Sequence, residues 1–335
     1  MGSIATTRGD AGQASLADRV LFPHHRFAST TAVDSGSLHP CHTARAVLCA
    51  VMLAVSVTTI VVRTAPQPSR IVSTSPSITE TLFALGLGSR VVGVSTYCRY
   101  PADVEQLPRV GSFLKPDAEA IARLRPDLVI VHGGPHTVPQ QLASLGITTV
   151  TVDRGTLASV YSSIRTIARA AGVADRGETL VTNIQHRLAT VRAAARSRAR
   201  RRVLLVVGRQ PGTLTDLVAV GPGSFLHDLI GAAGGVNVLG DPKLPEYPHV
   251  SMETVIRLAP DLIVDAGDMG DTLEEHRRRQ PATERLWRQQ SNVTAARTGD
   301  VHAVTSDAFV VPGPRVVEAA DTLARWLDAV GGSNR

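Results

Sequence analysis

The sequence predicts an α/β protein of two similar lobes bridged by one long helix, and three observations predict it. The first is a segment written twice. "DAEAIARLRPDLVIV" from Asp117 to Val131 and "SMETVIRLAPDLIVD" from Ser251 to Asp265 keep Glu, Arg-Leu and Pro-Asp-Leu at the same offsets. These are Glu119 and Glu253, Arg123-Leu124 and Arg257-Leu258, then Pro126-Asp127-Leu128 and Pro260-Asp261-Leu262. The second is a set of apolar runs without polar alternation, "LVIVH", "RVLLVVG" and "LIVDAG", which read as strands covered on both faces. The third is a central stretch in which Leu180, Ile184, Leu188, Val191 and Ala195 recur at helical spacing. A helix from about Ala174 to Arg198 is roughly 36 Å long, enough to cross a domain.

From the start of the chain, residues 1–45 are polar and rich in Ser, Thr, His and Gly, and read as a disordered tail. Residues 46–62, "AVLCAVMLAVSVTTIVV", carry no charge and lie between Arg45 and Arg63. That length suits a signal or membrane-anchor segment and implies export. Either it is an uncleaved anchor with a cytoplasmic tail, or translation begins downstream and it is an ordinary export signal. Leu48 before Cys49 does not suit a lipoprotein signal, which places small residues there. Residues 63–69 form a linker.

The first lobe is read over 70–155. "RIVSTS" and "VVGVS" are strands, and "SITETLFALGLG" is a helix with Ser77 and Glu80 at capping-box spacing and Gly86 and Gly88 as a stop. The first repeat supplies a helix and strand, and "QQLASLG" and "TTVTV" add one more of each. Residues 156–201 form a helical linker that includes the bridging helix. The second lobe, 202–331, restarts the pattern with "RVLLVVG", a glycine-flanked helix in "GPGSFLHDLIGAAGG", the second repeat, a late strand "VHAV" and a closing amphipathic helix.

Composition and motifs exclude several functions. A net charge of +6 raises the question of nucleic acid, but the arginine-rich run Arg192–Arg202 has no interleaved aromatics and no recognisable module, so it reads as a solvated helix end. Of Cys41, Cys49 and Cys98, only Cys98 lies in the folded part, so no disulfide forms there. No nucleotide fingerprint, Walker motif, nucleophile elbow or HExxH is present. His132 and His136 flank "GGP", which does not support helical metal-ligand spacing. Asp127 and Asp261 follow proline at a strand entry and read as turn organisers. Glu119 and Glu253 each open a helix, where a carboxylate suits the positive end of the dipole; as matched acidic points they also suit a two-fold symmetric basic partner.

The stretch "VVGVSTYCRYPADVEQLPRVGSFLKPDAEAIARLRPDLVIVHGG" and the closing "VTSDAFVVPGPRVVEAA" carry Tyr-x-x-Tyr-Pro, Leu-Pro-x-Val-Gly, the Pro-Asp-Leu repeats and Ser-Asp-x-Phe with a later Pro-Arg. In these motifs, and over essentially all of Arg70 to Val330, the chain resembles the cobalamin-type substrate-binding proteins of ABC importers. They belong to a helical-backbone family of periplasmic binding proteins, of class III type, that also includes ferric siderophore and haem receptors. The resemblance implies Rossmann-like lobes with the ligand in the cleft between them, no catalysis, and no cofactor beyond the transported ligand.

It implies further that Glu119 and Glu253 dock, one per lobe, on a dimeric permease with its ATPase subunits. The implied ligand-binding residues are Tyr97, Phe113, His132, Tyr247, Asp307 and Phe309. The implied cargo is cobalamin or a related corrinoid, a broad apolar disc edged by amides that aromatic faces suit. Cobalamin receptors favour tryptophan where this chain has Phe113, His132 and Tyr247, which leaves room for cobinamide, haem or a ferric siderophore. Arg99, Arg109, Lys115 and Arg209 are the cations available to an anionic chelate. The resemblance makes the protein an extracytoplasmic monomer with no nucleic-acid partner. A membrane-anchored α/β enzyme is the remote alternative.

Overall fold

The computed structural model describes residues 67–134, 138–268 and 272–330. The tail 1–45, the apolar segment 46–62 with Cys49, Cys41 and His136 lie outside the described residues. Among the described residues no helix is long and apolar enough to cross a membrane.

The first lobe runs β1 (Ile71–Ser73), α1 (Pro76–Ala84), β2 (Val91–Val94), α2 (Ala118–Arg123), β3 (Leu128–His132), α3 (Val138–Ser144) and β4 (Thr149–Val152). Its four strands are all parallel, in the order β2-β1-β3-β4. The apolar runs behave as a covered parallel sheet requires: Leu128 to Val131 are buried without alternation. Helix α1 starts at Pro76 after the N-cap Ser75, so Ser77 and Glu80 make no capping box. Proline at the first helical position presets the helical φ, and both side chains are released for long-range contacts.

The chain then joins the lobes through two helices, α4 (Leu157–Ala170) and α5 (Ala174–Ala194). The amide of Leu157 donates to Asp228 of the second lobe at 2.9 Å, and Leu157, Val160 and Ile164 pack in that lobe's core. Ile167 and Ala168, at the other end of α4, pack in the first lobe's core. After the left-handed Gly172, α5 begins beside the first lobe, where Arg176 donates to the Leu85 carbonyl at 3.1 Å. It ends in the second lobe, with Ile184, Leu188 and Val191 in that core. The long helix is therefore present but laid against a shorter antiparallel one, and its last turn stops at Ala194 rather than near Arg198. Gly177 permits the close approach, because a Cβ there would collide with the Ala168 methyl group.

The second lobe contains β5 (Arg202–Gly208), β6 (Leu217–Ala219), α6 (Phe225–Ala232), β7 (Val236–Asn237), β8 (His249–Val250), α7 (Met252–Leu258), β9 (Leu262–Asp265), α8 (Leu273–Arg288), α9 (Thr294–Thr298), β10 (Val301–Ala303) and α10 (Val316–Ala329). Strands β10, β9 and β5 are parallel, β6 and β8 extend the sheet antiparallel, and β7 pairs with β5. The arginine-rich run is partly tied into the fold: Arg198 pairs with Asp328 at 2.5 Å, and Arg202 donates to the Leu258 carbonyl at 2.8 Å.

The repeated segment folds into the same helix-to-strand turn in both lobes. Arg125 and Ala259, each immediately before the proline, both adopt the left-handed conformation, with φ of 45° and 43°. Asp127 accepts from the Ser69 and Arg70 amides at 2.8 and 3.0 Å, and Asp261 accepts from the Arg202 amide at 2.8 Å. Arg70 and Arg202 in turn donate to the carbonyls of Leu124 and Leu258. Each lobe thus fastens the start of its first strand to the same helix-to-strand turn.

Candidate functional site

A cavity of about 680 Å³ lies between the lobes, and its lining follows from strand direction. In open parallel sheets ligands gather at the carboxyl ends of strands. Ser75 and Ser77 follow β1, Tyr97 and Arg99 follow β2, His132 ends β3, and Arg154 and Gly155 follow β4. From the second lobe come Val207 near the end of β5, Ala266 and Gly267 after β9, and Asp307 after β10. Both lobes therefore turn the same edge towards one space.

Four aromatic side chains, Tyr97, Phe113, Phe225 and Tyr247, stand among the lining residues. Tyr97 and Tyr247 are 49% and 39% exposed, which leaves large rings uncovered inside a concavity. The Tyr97 and Phe113 rings meet edge to face at 6.4 Å, so each holds the other against the cleft. His132 lines the cavity beside Ser77, with Nε2 3.0 Å from the serine hydroxyl. Burial, the largest influence, lowers the His132 imidazole below its ordinary value, so the ring is neutral near pH 7. Burial raises the Tyr247 phenol, which stays protonated and approaches the Ser224 hydroxyl at 3.4 Å. Charge enters as Arg99 and Arg154 on one side and Glu246 and Asp307 on the other.

Of the residues singled out from the sequence, Tyr97, Phe113, His132, Tyr247 and Asp307 line this cavity together. Phe309 does not. It is 2% exposed, stacked on Trp326 at 5.6 Å in the second lobe's core. The tight 3-10 turn Asp307–Phe309 explains the difference, since it directs Asp307 to the cleft and Phe309 inward. Of the four candidate cations, only Arg99 reaches the cavity. Arg109 donates to the carbonyls of Ser95 and Cys98, Lys115 is exposed, and Arg209 is buried on Asp265. Ser75, Ser77, Arg154, Phe225 and Glu246 line the cleft without having been singled out, and for the serines and Arg154 position at a strand's carboxyl end is the signal that locates them. Among the described residues no cluster of His, Cys, Asp and Glu could hold a metal ion.

Glu119 and Glu253 stand apart from the cavity, exposed in the first turns of α2 and α7. Glu119 makes a loose pair with Arg123 at 3.8 Å, its side chain 90% exposed.

The family model for the periplasmic binding protein matches residues 71–308. The vitamin B12-binding protein of Salmonella typhimurium is 30% identical over 263 residues, covering 78% of this chain and 91% of that protein. A periplasmic heme-binding protein from Roseiflexus sp. RS-1 superposes with a TM-score of 0.67 at 29% identity, covering 78% of this chain and 99% of that one. The periplasmic vitamin B12 binding protein of Vibrio cholerae superposes with a TM-score of 0.65 at 26% identity, covering 80% and 99%.

Proposed function

Because this chain belongs to the periplasmic binding protein family, we propose that it captures cobalamin or a related corrinoid between its lobes and delivers it to an ABC importer. The observation that carries this reading is the cavity itself, with the exposed rings of Tyr97 and Tyr247 and the Phe113 edge on its walls. A corrin presents a wide apolar face and an amide rim. Stacked aromatic rings suit the face, and hydroxyls and carboxylates such as Ser75, Ser77 and Asp307 suit amide donors on the rim. The ligand contacts assigned are Tyr97, Phe113, His132, Tyr247 and Asp307; Phe309 serves the core. Capture, modest closure and release involve no bond breaking, and energy comes from the importer's ATPase subunits.

Glu119 and Glu253 are assigned to docking, one per lobe, each meeting a basic residue of one permease subunit. Both are exposed and occupy equivalent places in a duplicated segment, which matches a two-fold symmetric partner. The protein works outside the cytoplasm as a monomer, exported or anchored through residues 46–62.

Arg99 and Arg154 on the cleft wall favour a second reading, an anionic iron chelate such as haem or a ferric siderophore. Titration calorimetry of the purified protein with cyanocobalamin, cobinamide, haemin and a ferric hydroxamate separates the two. Saturable binding of the corrinoids alone is the expected result. Binding of an iron ligand alone replaces the cargo, and silence from all four removes the corrinoid assignment.

A further inference from the structure

We propose that Glu80 and Arg315, with Tyr100, form an interlobe clasp that sets the separation of the cleft walls without touching the ligand. Glu80 lies on α1 of the first lobe, and Arg315 immediately precedes α10 of the second, 235 positions along the chain. The contact is bidentate, Nε to Oε2 at 3.1 Å and Nη2 to Oε1 at 2.6 Å. Its side chains are only 3% and 14% exposed. The Arg315 guanidinium also lies 4.0 Å above the centre of the Tyr100 ring, a second contact with the first lobe. Beside it, Gly313 runs so close to α1 that a Cβ there would stand 3.2 Å from Glu80 Oε2 and 3.5 Å from Ser77 Cα.

The position matters as much as the bond. Ser77, one turn before Glu80, lines the cavity, as do Val311 and Pro312 just before Arg315; Glu80 and Arg315 themselves do not. The clasp thus connects one cleft wall to the other at the cavity's edge, and it is independent of the covalent connection through α4 and α5. A forked guanidinium–carboxylate contact fixes angle as well as distance. Replacing such a buried pair by apolar groups costs little net stability, so what it contributes here is a single lobe arrangement. Separating the lobes at this edge would leave the Glu80 carboxylate buried without its cation, while Arg315 would keep only the looser pair with Glu318 at 3.9 Å.

The test measures lobe separation in the ligand-free full-length protein. Cys41→Ser and Cys49→Ser remove the other reactive thiols, and spin labels are placed through Glu105→Cys and Arg297→Cys, both exposed and in different lobes. Electron–electron resonance is expected to give one narrow distance in this parent. The double variant Glu80→Met/Arg315→Met removes both charges of the pair together and is expected to broaden or lengthen that distance. Arg315→Lys keeps the charge but loses the fork, and is expected to do the same if the double variant does not fold. A folded variant, judged by its thermal transition, that retains the parent's narrow distance overturns the clasp. Failure of the parent to bind cyanocobalamin would count against the assigned cargo alone, because the distances are read without ligand.

Discussion

Arg209 and Asp265 form an ion pair with no exposed side-chain surface, directly behind the cleft wall. Asp265 Oδ2 accepts from Arg209 Nε at 2.9 Å and from the Trp287 indole at 2.6 Å, while Oδ1 accepts from the Gly267 amide at 2.7 Å. Arg209 donates as well to Thr283 of α8 at 2.8 Å and to the Thr213 carbonyl at 3.1 Å. The network therefore holds the cavity-lining turn at Ala266 and Gly267 against β5 and α8. Removing one partner leaves the other charged and buried. Arg209→Ala is expected to lower unfolding free energy by about 3–5 kcal/mol, measured by urea denaturation. A loss below about 1 kcal/mol would mean that water or another cation replaces the guanidinium.

The twin turns allow a matched comparison. Partial burial pushes the Asp127 carboxyl up, but the amides of Ser69 and Arg70 and the Ser69 hydroxyl together hold it below its ordinary value. Asp127→Ala and Asp261→Ala are each expected to cost about 1–2 kcal/mol, reduced from a fully buried charged hydrogen bond because the groups face solvent. Equal shifts in the denaturant midpoint would identify a shared structural role, and a loss confined to one lobe would separate them.

His132 makes stability depend on pH. Burial depresses its folded-state value below the ordinary 6.5, so the unfolded chain takes up a proton before the native one does. The contribution is fully present above about 6.5 and is lost as pH falls through the lowered native value. His302 is depressed in the same direction, also mainly by burial. His132→Gln is therefore expected to flatten part of the decline in thermal midpoint between about pH 7 and 5, with His302→Asn as the comparison. An unchanged profile in both variants would place the pH dependence elsewhere.

Phe309 and Tyr97 predict opposite signatures. Phe309→Ala opens a hole beside Trp326 and is expected to cost about 3–5 kcal/mol of stability. Tyr97→Ala removes a half-exposed ring, and is expected to leave the thermal midpoint within about 2 °C while weakening cyanocobalamin binding about tenfold. Calorimetry and thermal melts on the two variants decide this, and the reverse pattern would exchange their roles.

Docking is tested by charge. Glu119→Arg/Glu253→Arg is expected to abolish measurable association with the permease in detergent while leaving ligand affinity unchanged, since neither residue lines the cavity. Undiminished association would remove the assignment.

How the sequence related to the structure differs from element to element. Uninterrupted apolar runs marked β3, β5 and β9, because a strand buried on both faces has no polar side to show. The antiparallel additions β6 and β8 gave no such run: they are three and two residues long. Ser77 and Glu80 had the local spacing of a capping box, yet one meets His132 and the other meets Arg315, partners 55 and 235 positions away. A local pattern cannot register a partner at that distance.

By itself the sequence determined the two α/β lobes, the long helix between them and the doubled turn. Each of these rests on short-range periodicity or on a repeated segment, which act through neighbours along the chain. Only the tertiary structure decided that Asp307 faces the cleft while Phe309, two residues on, enters the core. It alone also sent Arg209 inside and brought Glu80 to Arg315. Those outcomes depend on what packing leaves room for and on which charges it leaves without water, and both are set by the assembled lobes rather than by any segment.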